Sequence, residues 1–114
     1  MRVVAVFDDL LLGSNVLGML RAAGHDAELM SAKDADPGGA NVLIVDLAGT
    51  DGVALVERLR QAGELEGVKL LGVYSHVDVE TRRRAEAAGF DLVVPRSRLA
   101  REGASLVGRL GAGD

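Results

Sequence analysis

Three carboxylates stand where apolar runs end. Asp8 and Asp9 follow Val3-Val4-Ala5-Val6-Phe7, and Asp46 follows Val42-Leu43-Ile44-Val45. Near-continuous apolar runs of this length read as strands buried on both faces, and hence as parallel strands. In an open α/β sheet the side chains just past the carboxyl ends of the strands gather in a crevice where the strand order reverses. In the common five-stranded order the first and third strands are neighbours at that crevice. The three acids are therefore expected at one rim. Clustered carboxylates repel, which favours a bound cation or a retained proton, and either outcome points to chemistry more than to packing.

The elements that must hold these residues alternate between two periods. After the first run, Leu12, Val16, Leu17, Leu20 and Ala23 mark a helical face, with Gly24 as its stop. Ala27 to Met30 is a weak second strand. Thr50 or Asp51 caps a helix whose Val53, Val56 and Leu59 face inward and which ends at Gly63; Leu70 to Tyr74 is a fourth strand. A polar helix spans 78–88 up to Gly89, and Leu92 to Pro95 is a short fifth strand. Leu99, Leu106, Val107 and Leu110 give a last helical face. Gly103 and Gly108 weaken it by about 1 kcal/mol each relative to Ala, so fraying is expected there. Only Ser31 to Asn41 separates the second and third strands. Asp36-Pro37-Gly38-Gly39 within it is turn chemistry, so a second helix is at most about a turn long. The pattern predicts a doubly wound parallel sheet with right-handed crossovers, one domain over 1–110 and a flexible tail over 111–114.

Composition narrows the function. The chain has 114 residues, 48% of them hydrophobic, without an apolar run near the ~20 residues of a bilayer span or a basic-then-apolar leader. A cytoplasmic protein with no membrane role is expected. The absence of cysteine closes disulfide, thiolate-metal and Cys-nucleophile chemistry. The net charge is −4, split between −6 over residues 1–57 and +2 over residues 58–114. With Phe7, Tyr74 and Phe90 as the only aromatics, nucleic-acid binding gains no support. No glycine-rich phosphate loop follows the first strand, which argues against a nucleotide.

An acidic pair after strand one, Asp46 after strand three, Ser75 after strand four and Arg96 after strand five together resemble the receiver domain of bacterial two-component response regulators. The likeness spans nearly the whole chain. It implies a flavodoxin-like sheet of order 2-1-3-4-5, here with a shortened second helix. It further implies Asp46 as acceptor of a phosphoryl group from a histidine kinase or other signalling protein, with Mg2+ held by Asp8, Asp9 and Asp46. Ser75 would sense the phosphate and Arg96 would pair with it. Such chemistry needs these residue types, because a carboxylate attacking a phosphoryl donor is repelled by its equatorial oxygens unless a metal and a fixed cation neutralise the developing charge. The implied protein is a switch and not a turnover enzyme, acting through the surface formed by helix 78–88, strand five and the last helix.

The sequence also departs from that pattern. Receivers commonly read D-x-x-M-P-x-M-D-G after strand three, whereas Asp46-Leu47-Ala48-Gly49-Thr50-Asp51-Gly52 is shorter and lacks Met-Pro. His76 stands where a small residue is usual, and would either crowd the phosphoryl site or donate to it. Val94-Pro95-Arg96 replaces Lys-Pro. Counting from Gly89 sets Arg96 on the lysine, while aligning the prolines sets Val94 there and leaves no cation. The Asp-Leu-Leu, Ser75-His76-Val77-Asp78 and Pro95-Arg96-Ser97-Arg98 combination is similar to a set of atypical stand-alone receiver-like bacterial proteins.

Plainer roles stand beside these. Asp8 and Asp9 could be loop or cap residues, Ser75-x-x-Asp78 matches a helix capping box, and His25 is a turn residue. Arg82-Arg83-Arg84 fits a solvated helix face, or with Arg98 and Arg101 a basic partner surface. The alternatives in the same fold are a phosphorylation-independent interaction module and a small-ligand module using the strand-end crevice.

Overall fold

A computed structural model describes residues 1–48, 51–75 and 79–112. The elements run β1 (Arg2–Val6), α1 (Leu10–Ala22), β2 (Asp26–Met30), β3 (Val42–Asp46), α2 (Gly52–Gln61), β4 (Lys69–Tyr74), α3 (Val79–Ala87), β5 (Leu92–Pro95) and α4 (Arg96–Gly111). All strand pairings are parallel and the order is β2-β1-β3-β4-β5, as the apolar runs and their spacing predict. The central strands are buried on both faces because helices cover both.

Strand alternation divides the core. Val3, Ala5 and Phe7 of the first run, Val42 and Ile44 of β3, and Val73 and Val94 face the side covered by α1 and α4. Val4, Val6, Leu43 and Val45 face the side covered by α2 and α3. Gly24 ends α1 with φ +91°, a conformation that suits a residue without Cβ.

Residues 31–41 form turns and no helix. Pro37 removes a donor, the Asp36 carboxylate accepts from the Gly38 N–H at 3.0 Å, and the second helix is lost entirely. Ala32, Ala35 and Ala40 pack where its apolar face would lie. The last helix runs unbroken from Arg96 to Gly111, one residue past the boundary expected at 110. Gly103 is the reason for one apparent weakness: a Cβ there would collide with the Met19 side chain of α1, so the glycine lets two helices approach.

Gly72 performs a similar service in β4. A Cβ there would meet Leu47 Cδ1 and Phe90 Cδ2, both at 3.0 Å. Leu47 is thereby seated beside β4 immediately after Asp46, which fixes where the chain leaves β3. Gly72→Val is expected to lower stability by roughly 1–3 kcal/mol through overpacking, measured by urea denaturation. An unchanged midpoint would show that Leu47 and Phe90 yield freely.

Candidate functional site

Asp46 ends β3 opposite Val73 of β4 and has no exposed surface. Its alternation places the carboxylate on the side of α1 and α4, and α4 begins one residue after β5. Arg96, the first residue of that helix, sends Nη2 to Asp46 Oδ2 at 2.7 Å. Asp46 Oδ1 accepts from the backbone N–H of Ala48 at 3.1 Å. Both oxygens of the buried acid are therefore engaged by groups of this chain, one of them cationic. The Arg96 side chain is 29% exposed, and its Nε is buried without a hydrogen-bond partner. A carboxylate removed from water requires this kind of compensation.

The fold brings Arg96, and not Val94, to the acid. Val94 is completely buried in the core, and Arg96, two residues on, is the side chain that reaches the acid. The contact joins two residues fifty positions apart and draws the end of β3 to the first turn of α4. Pro95, at the N-cap of α4, supplies no side-chain cap, so the orientation of this helix start depends on packing and on that ion pair.

Asp8 and Asp9 follow β1, and Asp46 ends β3, its neighbour in the sheet. Among the described residues no three His, Cys, Asp or Glu side chains form a group able to hold a metal ion. Val3 pairs with Val42, Ala5 with Ile44 and Val6 with Val45, so Phe7, Asp8 and Asp9 follow the last paired residue of β1. Asp8 is exposed beyond the strand. Asp9 turns to its own helix, where its Oδ1 accepts from the Leu12 N–H at 3.0 Å as the N-cap of α1. In this arrangement Asp9 is engaged by the first turn of α1 and Asp46 by Arg96. Ser75 is exposed just past β4. His76, Val77 and Asp78, and with them the capping box proposed from sequence, lie outside the described residues, as does Thr50. Asp51 caps α2, accepting from the Ala54 N–H at 3.2 Å. The Ala48 N–H was the partner that sequence reasoning missed, since a backbone donor leaves no mark on residue identity.

Neither a protein-family model nor a curated protein matches the chain in sequence. Solved structures do match in three dimensions. The receiver domain of Francisella response regulator 1452 superposes with a TM-score of 0.84 at 17% identity, covering 97% of this chain and 96% of that one. The fold is that of a receiver domain. The Vibrio cholerae chemotaxis protein CheY4 is similar with a TM-score of 0.83 at 18% identity, covering 96% and 97% of the two chains. An atypical orphan response regulator, described as having a phosphorylation-independent regulatory mechanism, superposes with a TM-score of 0.81 at 16% identity over 100% and 98%. At such identities the shared property is the receiver fold, and the roles of individual residues must come from their surroundings.

Those surroundings make the receiver fold here depend on an internal pair. Arg96→Ala strands the Asp46 carboxylate and is expected to cost about 3 kcal/mol, the lower part of the range for a broken buried pair because the guanidinium is partly open to solvent. Replacing both residues, Asp46→Leu with Arg96→Met, is expected to recover most of that loss. Chemical denaturation of the two variants checks the pair, and an Arg96→Ala change below about 0.5 kcal/mol, the size of an ordinary surface substitution, would contradict it. Asp9→Ala is expected to cost about 1 kcal/mol, the loss of an N-cap, as measured in the same way.

Proposed function

We propose that this chain is a receiver-type signalling module that works through protein contacts without phosphorylation of Asp46 and without turnover chemistry. The observation that carries this reading is the sequestered carboxylate: Asp46 has no exposed surface, and Arg96 lies 2.7 Å from its Oδ2. A phosphoryl acceptor must present an oxygen lone pair in line with the donor, with cationic groups placed to take up the charge that develops. Here the lone pairs face a guanidinium and a backbone N–H. The cation that would help a phosphoryl group instead neutralises the acceptor. The arrangement supports a site that is complete without an added ion or anion.

A module of this kind presents a fixed surface and leaves regulation to its partners. In this reading a histidine kinase or another signalling protein binds without transferring a phosphoryl group. The partner face is the one formed by α3, β5 and α4, where Arg82, Arg83 and Arg101 are exposed. Arg82 and Glu86 approach at 3.6 Å, and Arg98 and Glu102 at 3.3 Å, as exposed pairs of small energetic weight. Arg83 is exposed without an acidic partner among the described residues. A partner surface rich in carboxylates fits that face. No helix among the described residues is long and apolar enough to cross a membrane.

Prolonged incubation with acetyl phosphate and Mg2+, followed by intact-mass measurement, tests the reading. The mass is expected to remain that of the unmodified chain. A gain of one phosphoryl group that disappears in Asp46→Asn would overturn it in favour of a phosphorylated switch.

A further inference from the structure

Two surface features lie at the carboxyl-end rim of the sheet and are complementary to one another. The first results from the missing helix. Right-handed crossovers place residues 31–41 on the same face as α2 and α3, and a turn segment covers less of that face than a helix. What remains is a groove of about 300 Å3 between the turn and α2. Its floor is Ala32, Ala54 and Leu55, and its walls are Lys33 and Arg58. Asp51 also lines it, but that carboxylate caps α2 and has Arg84 at 3.9 Å. Lys33 is exposed and has no acidic partner among the described residues, while Arg58 gives one N–H to the Ala32 carbonyl at 3.1 Å. The lining thus carries two cations, Lys33 and Arg58, and one carboxylate, Asp51, around Ala32, Ala54 and Leu55.

The second feature is the start of α1. Leu10 is 71% exposed and Leu11 75%, the most exposed large hydrophobic residues among those described. Immediately before them stand the exposed carboxylates Asp8 and Asp9. Acidic and apolar groups are thus adjacent on one edge, and basic and apolar groups on another. β1 lies between β2 and β3 in the sheet, so the segment after β1 and the groove flanked by the segments after β2 and β3 are neighbours at the same rim.

We propose that a second copy of this chain is the occupant of the groove. Leu10 and Leu11 of one copy cover Ala54 and Leu55 of the other, and Asp8 and Asp9 meet Lys33 and Arg58. Because both patches lie at the same rim, the exchange can be reciprocal, closing a two-fold dimer in which each copy gives and receives the same contact. Apolar side chains exposed together in this way mark contact sites, and the charges select which surfaces meet. Docking of this kind is independent of the state of Asp46.

Sedimentation of the full chain across a concentration series tests it. A monomer–dimer equilibrium that weakens with added salt is expected. Asp8→Lys and Lys33→Glu are each expected to weaken self-association at least tenfold while leaving the far-ultraviolet spectrum unchanged. Mixing the two variants is expected to restore the dimer, because both contacts of the mixed pair again join opposite charges. Leu10→Ser with Leu11→Ser is expected to leave a monomer. A chain that stays monomeric at all concentrations, a dimer indifferent to Asp8→Lys and Lys33→Glu, or a mixture no tighter than either variant alone would overturn the proposal.

Discussion

A carboxylate with no contact with water needs an opposite charge, and in this chain Arg96 provides it. That single requirement links the parts of the fold that matter to the site. β3 delivers Asp46 to the rim on the side of α1 and α4, and β5 runs directly into α4, so that the first residue of the helix can reach across. The ion pair is therefore both the site's chemistry and a tether between the sheet and the last helix. The crevice at the end of β3 holds a cation of its own, Arg96, 2.7 Å from the buried acid.

Much of the architecture was legible in residue order. Apolar runs of four or five residues between segments of helical period mark four of the five parallel strands, and Asp36-Pro37-Gly38-Gly39 marks the second helix as at most about a turn long. Turn chemistry and period are local properties, so a linear reading captures them. The site was less legible because its contacts are tertiary: Asp46 is engaged by Arg96, fifty positions away, and by a backbone N–H. Two consecutive aspartates after a strand look like a metal pair in sequence, yet Asp9 satisfies the first turn of α1. Arg96 was visible as a candidate, but only the burial of Val94 and the immediate start of α4 decide that it faces the acid.

Glycine illustrates the same limit in another form. In a linear reading Gly103 is a defect in α4, costing helix stability relative to alanine. In three dimensions it marks the place where α4 rests against Met19 of α1. Propensity describes a residue's effect on its own segment, while close approach belongs to the partner segment, which no local pattern reveals. The shortened crossover is the converse case: its turn residues were plain, but the groove beside α2 that it leaves became visible only when the face it should cover was identified.

The most direct test of the central pair is the side-chain NMR spectrum of Arg96. If its guanidinium is held against the buried Asp46 carboxylate, its Nη protons should exchange slowly with water and show a through-hydrogen-bond coupling to that carboxylate, and both signals should vanish in Asp46→Asn. Nη protons that exchange as fast as those of exposed Arg83, with no coupling to Asp46, would show that the acid is neutralised in some other way and would contradict the account.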